Sequence, residues 1–436
     1  MKRALLTLML LGCGRTAGVP GPEVVEPPKV QQQPLLGCEG KAVVALEDRT
    51  LRRITPEGTV TTLFTFGAGL PADQVSVSRW STAGDFIGAV AFLHVGTQSA
   101  WTYEYLLMRS DGTVLFESRQ VEPHSPSIFL GADGSLAVSA RTGWLVRADG
   151  SVTQLGALQP MSPRLPSGEV LVAQGRPWDA ASKKGTWKDG VFTPLPVALG
   201  AYPTFEVVGA RLLAVDGQRL LSLLDGASIA LPAANLALVQ HAAERFVLLS
   251  NEQVLVRVDL AQGTAQTVAN APKVEERYQT WSAGLQADGA VLAGTAKGEQ
   301  LQLQRSGDLG QSWADVGEPM VLGDDLGLGR WMFATERAGS LLVHSMSTGY
   351  GHYVNEVQLV TAQGAHRVAA GGLWVNGDIN PGATDLSADG QCAVAWVQEP
   401  GGSWLHGDPL ELVFVAADGK RQVAPGLTSG GLRFVP

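Results

Sequence analysis

The chain has 436 residues, 45% of them hydrophobic, with 41 acidic against 32 basic residues and a formal net charge of −9. A chain this long and apolar buries a large interior and exceeds what one small core accommodates. Its Lys and Arg residues are scattered with no basic run, which argues against nucleic-acid binding and against an electrostatic membrane-binding face.

The first residues, Met1-Lys2-Arg3, are basic, residues 4–11 are almost wholly apolar, and Gly12-Cys13 follows. A basic start and a short apolar core ending in small residues are the parts of a secretory signal. The core is too short to span a bilayer as a helix. Leu10-Leu11-Gly12-Cys13 resembles the lipobox of bacterial lipoproteins. The resemblance implies that residues 1–12 are removed and that Cys13 carries diacylglycerol on its thiol and an acyl chain on its amine. At about 0.8 kcal/mol per buried methylene, several chains anchor stably where one does not. Gly14 stands where an Asp marks inner-membrane retention in such proteins, so the expected address is the outer membrane, facing periplasm or exterior. A second Leu-Leu-Gly-Cys, ending at Cys38, has no apolar core before it and is no rival. Residues 13–37 hold Pro20, Pro22, Pro27, Pro28, Pro34 and a Gln31-Gln32-Gln33 run, the composition of an extended tether.

From residue 38 to 436 one pattern recurs. Asp111-Gly112, Asp133-Gly134, Asp149-Gly150, Asp288-Gly289 and Asp418-Gly419 each separate two β-rich runs. Asp-Gly between alternating apolar residues is a strong hairpin signal, because the turn needs positive φ. No long 3.6-residue apolar period appears, so the chain is expected to be all-β. Paired hairpins form four-strand modules, most cleanly at 127–132, 135–141, 143–148 and 151–155. About nine modules of roughly 44 residues fit, near the blade length of β-propellers. Seven or eight remain open because 200–270 divides poorly. The first module has three strands only, 41–46, 50–55 and 59–64. Residues 432–436 can supply its innermost strand and close the ring, leaving no long unpaired edge.

Acylation of Cys13 leaves Cys38 and Cys392, which are either two buried thiols or, in an oxidising compartment, a disulfide. Ring closure puts them at corresponding places on adjacent blades, which favours the bridge. Further along, Ser306, Asp308, Gly310 and Trp313 fit Ser/Thr-x-Asp-x-Gly-x-x-Trp. This resembles the Asp-box turn of sialidases and many other propellers, and in that family the residues are structural.

The sequence offers no catalytic set. A sialidase needs an arginine cluster and a Tyr–Glu nucleophile pair, and the nearest stretch, Arg53-Ile54-Thr55-Pro56, reads as a turn. The seven histidines show no His-Glu-x-x-His or other metal spacing, and no Gly-x-Ser-x-Gly elbow or phosphate loop occurs, so neither metal nor cofactor is expected. The connections from second to third strands and between blades, which share one face of a propeller, are long and aromatic. They carry Trp101 and Tyr103; Trp178 and Asp179; Tyr350, His352 and Tyr353; Trp374 and Asp378; and Trp404, His406 and Asp408. Exposed aromatics beside polar groups are what interfaces and sugar sites use. The expectation is therefore a non-catalytic binding or scaffold propeller in the cell envelope, engaging a protein partner through this face. The alternative is a carbohydrate-binding or glycan-processing, sialidase-like envelope protein. In organisation the chain resembles the propeller lipoproteins of outer-membrane assembly, without their repeat signature.

Overall fold

The computed structural model describes residues 35–95, 101–177, 179, 181–197, 205–251, 253–272, 283–321, 330–348, 352–361, 364–375, 384–398, 410–424 and 431–435. Its hairpins begin with the Asp-Gly repeat. At Asp133-Gly134 the Asp Oδ1 accepts the Ser135 amide at 3.0 Å, and the Gly134 amide donates to the Gly131 carbonyl at 3.0 Å. Only the glycine takes positive φ, +74°, so the turn is a type I turn closed by a glycine bulge. A Cβ on Gly134 would fall 2.4 Å from the Phe86 ring of the preceding blade. Asp111, Asp149, Asp288 and Asp418 hold their turns the same way. Asp189-Gly190 differs, with both residues left-handed (φ +48° and +89°), and is a two-residue type I′ turn.

These hairpins assemble into nine four-stranded antiparallel sheets arranged as the blades of a β-propeller. Blade 1 contains Ala42–Glu47, Thr50–Ile54 and Val60–Thr65. Blades 2 to 9 follow in chain order over 75–122, 127–156, 158–194, 205–230, 237–267, 283–321, 330–375 and 384–424. The stretch 200–270 thus holds two blades.

The interior is divided among nine apolar clusters, one at each seam between neighbouring blades. Strand alternation explains this. Val44 and Leu51 pack toward blade 2 with Ile87 and Leu106, whereas Val43 and Ile54 pack toward blade 9 with Val394 and Phe414. A strand buried on both sides reads as a continuous apolar run, as Ala42-Val43-Val44-Ala45 does.

Both chain ends close the ring. Leu432–Val435 pairs antiparallel with the first strand, Ala42 opposite Val435 and Ala45 opposite Leu432. Cys38 and Cys392 form a disulfide with their Cα atoms 5.0 Å apart. Gln422 Nε2 in blade 9 donates to the Pro56 carbonyl in blade 1 at 2.6 Å. Leu35, three residues before Cys38, is buried in the same cluster as the bridge.

Candidate functional site

Each innermost strand of the ring exposes an edge, and some of its backbone groups find side-chain partners on the next blade. Gln240 in blade 6 uses its Oε1 to accept the Leu285 amide of blade 7 at 2.8 Å. Asp385 in blade 9 does the equivalent for the closing strand, its Oδ2 accepting the Phe434 amide at 2.6 Å.

A cavity of about 760 Å³ lies where the innermost strands meet the turns to their second strands. Its charged lining includes Lys41, Arg337, Arg433, Glu206, Asp385 and Asp389. Lys41 Nζ is 2.8 Å from Asp389 Oδ2, which holds that carboxyl below its usual range despite partial burial. Burial raises the Asp385 carboxyl, opposed by the Phe434 amide and by the Arg433 and Arg337 charges. Arg337 and Arg433 each donate an Nη1 to a backbone carbonyl, Glu336 at 3.0 Å and Leu432 at 2.6 Å. The Arg433 guanidinium also lies 5.9 Å from the Trp80 ring centre. Across the cavity, His241 Nε2 is 4.0 Å from Glu206 Oε1. Burial and the Arg337 charge hold His241 below its usual value, so this contact is not an ion pair at neutral pH, and burial alone raises Glu206.

At the opposite end are the connections from second to third strands and between blades. Here Trp101 is 42% exposed and stands edge-on to Phe92, with ring centres 6.0 Å apart. Phe92 also contacts exposed His94, at 4.3 Å, and Tyr103, at 5.4 Å. Tyr103 corrects an expectation, because it is only 3% exposed. It lies in the seam with blade 3, in one apolar cluster with Val90 and Val138. Asp179 binds within its own connection, its Oδ1 accepting the Ala181 amide at 2.9 Å. Tyr353 and Trp374 are directly paired across the third and fourth strands of blade 8, as His352 is with Val375. Trp178, Tyr350, Asp378, Trp404, His406, Asp408 and Cys13 lie outside the described residues.

Two buried carboxylates on this side belong to no sequence motif. Glu104 is 1% exposed, accepts the Gly67 amide at 2.6 Å from the blade 1 exit, and binds Arg119 at 2.7 Å. Glu356 repeats this in blade 8, taking the Val321 amide at 2.8 Å and Arg367 at 2.9 Å. Each stitches the end of one blade to the third strand of the next. A weak signal exists: both stand at the same spacing before hairpin glycines, Gly112 and Gly364, as does Glu411 before Gly419.

The turn at 306–313 joins the third and fourth strands of blade 7. Asp308 Oδ1 accepts the Ser312 amide at 3.0 Å and the Ser306 hydroxyl at 2.8 Å, and Gly310 donates its amide to Ser306 Oγ at 2.7 Å. The Ser312 hydroxyl and amide hold the Asp308 carboxyl down to about 2. A Cβ on Gly310 would lie 1.8 Å from the Ala269 carbonyl oxygen, and Trp313 Nε1 donates to that same oxygen. The turn thus braces blade 6 against blade 7. Among the described residues, no group of three or more His, Cys, Asp or Glu is placed to hold a metal ion.

No protein-family model and no curated protein matches the sequence. By fold the chain is similar to the Dos1 propeller, at 10% identity and a TM-score of 0.38, over 90% of this chain and 91% of that one. It is similar to TolB from Acinetobacter baumannii at 13% identity and 0.29, over 80% and 81%. It is also similar to prolyl oligopeptidase B from Galerina marginata at 8% and 0.41, over 86% of this chain. The chain spans about half the length of the first peptidases it resembles, 44% of the tricorn protease and 52% of prolyl oligopeptidase B. At such identities the likeness concerns the fold alone. That fold is the β-propeller of nine four-stranded blades described above.

Proposed function

We propose that the protein is a lipid-anchored cell-envelope propeller that binds a protein partner, without catalysis, through its long-connection face. The observation that supports this reading is the aromatic platform at the seam of blades 2 and 3. Trp101 is exposed and stands edge-on to Phe92, whose ring also contacts the buried Tyr103. A large ring held rigid before binding loses little entropy on contact, which is why Trp dominates interface energetics. Cys13 acylation would place this face in the envelope.

The test is affinity capture from detergent-solubilised envelopes with wild-type protein and the Trp101→Ala variant. The reading expects one partner recovered by wild type and reduced at least about tenfold by the variant, the loss typical of a hot-spot truncation. Equal recovery by both removes the assignment of this face. The second reading, glycan binding, draws on Trp101 and on His94, each against Phe92, since an exposed indole also stacks on sugar rings. It would be favoured if soluble envelope glycan, and no protein, bound in a Trp101-dependent way.

A further inference from the structure

We propose that the central cavity is a second, separate binding site, for a small zwitterion such as a short peptide whose C-terminal carboxylate is held by Arg337 and Arg433. Its volume, about 760 Å³, lies in the usual range for small-ligand sites. The charges around it are unevenly committed. Asp389 is occupied by Lys41 and by the Gln391 amide. Asp385 accepts the Phe434 amide and lies within the field of both arginines without an ion-pair contact to either, and Glu336 accepts the Gly339 amide at 2.6 Å. Neither Arg337 nor Arg433 forms an ion pair among the described residues. Each is tied through one Nη1 to a carbonyl beside it in its own strand, which keeps its remaining donors for another acceptor. Arg433 is further fixed over Trp80. Two oriented guanidiniums from blade 8 and the closing strand suit a planar carboxylate, which accepts paired N–H donors.

The opposite wall decides what else the ligand carries. Among the described residues Glu206, from blade 5, has no Lys or Arg within ion-pair distance, and His241, 4.0 Å away, has its protonation disfavoured by burial and by the Arg337 charge. An ammonium group there would supply the missing countercharge. The acids also disfavour a phosphate dianion, because the lining holds four carboxylates, Glu206, Glu336, Asp385 and Asp389, against the three cations Lys41, Arg337 and Arg433. The inference is independent of the aromatic face, since the cavity sits at the other end of the blades.

The test uses the mature protein with its disulfide intact and trialanine as the probe, followed by isothermal titration and ligand-detected NMR. Three comparators accompany it: trialanine amide, N-acetyl-trialanine and inorganic phosphate. We expect saturable binding of trialanine, weakened at least about tenfold by C-terminal amidation and by Arg337→Gln or Arg433→Gln, the scale of a charged hydrogen bond. N-acetylation should weaken binding of wild type but not of Glu206→Gln. Arg337 is exposed at a strand end, so its variant keeps the fold, checked by an unchanged melting curve. Equal binding of acid and amide, indifference to Arg337→Gln, no saturable trialanine binding, or tighter binding of phosphate than of trialanine each overturns the assignment.

Discussion

Reducing the Cys38–Cys392 bridge should cost several kcal/mol of stability, and the structure gives the scale. The cysteines are 354 residues apart. In the chain-entropy model a loop of that length restricts the unfolded chain by about 20 cal/mol/K, or roughly 6 kcal/mol at 25 °C. Measured bridges commonly deliver about 2–4 kcal/mol. The native ring keeps its other closures, the pairing of Ala42–Ala45 with Leu432–Val435 and the Gln422–Pro56 bond. The loss therefore acts mainly through the unfolded state. The assay is equilibrium urea unfolding of oxidised and reduced wild type, followed by circular dichroism. Comparing redox states leaves both buried sulfurs in place, which separates the crosslink from the packing lost in an alanine variant. The oxidised protein should unfold at higher urea with a shallower slope, because its unfolded chain exposes less surface. A difference below about 1 kcal/mol, with thiol titration confirming the intact bridge, would refute this reasoning.

Other predictions follow from single groups. Burial raises the Asp385 carboxyl from 3.8, so the fold holds its proton more tightly than the unfolded chain does. That contribution is complete at pH below 3.8 and is lost as pH rises through the raised folded value. Asp385→Asn, which keeps an acceptor for Phe434, should flatten that part of the stability–pH curve, and Asp385→Ala should cost about 1–3 kcal/mol. Equal losses in the two variants would discard the acceptor role. Asp308 has the opposite sign: its carboxyl is held down to about 2 from 3.8, so its contribution is present above 3.8 and lost as pH falls through 2. Acid unfolding of Asp308→Asn should accordingly begin at a pH no lower than in wild type, and a more acid-resistant variant would contradict the turn geometry. Glu104→Ala strands the Gly67 amide and Arg119 and should cost about 3 kcal/mol or more by denaturant titration. A loss under about 1 kcal/mol would show that the stitch between blades 1 and 2 contributes little.

Much of the architecture is legible in residues that act locally. An Asp followed by Gly closes its own hairpin, so the blades built on Asp111, Asp133, Asp149, Asp288 and Asp418 can be read directly. Blades 5 and 6 resist because one of their turns uses Ala243-Glu244, both left-handed at φ +49° and +53°. Nothing in those residue types announces a type I′ turn, and packing between blades overrides local preference there. The bridge was readable because closure is a topological demand that places Cys38 beside Cys392. The candidate sites are less legible. Trp101 and Tyr103, two residues apart, share one face of their strand, and position along it decides their exposure: Tyr103 is flanked by Phe92 and Gln120 within the sheet, whereas Trp101 begins the strand and is paired only with Glu122. The cavity gathers Arg337, Asp385, Arg433 and Glu206 from four separate strands. Each reads locally as an ordinary charged strand position, and only ring closure makes them neighbours.

The binding role itself is tested most directly by site-specific photo-crosslinking in the producing cell. A photoreactive residue replaces Trp101 in one strain and Val152, an exposed residue on the outer strand of blade 3, in another. The account predicts a discrete protein adduct in the membrane fraction from position 101 and none of the same mass from position 152. The same adduct from both positions, or none from 101 with the protein recovered outside the membrane, would contradict it.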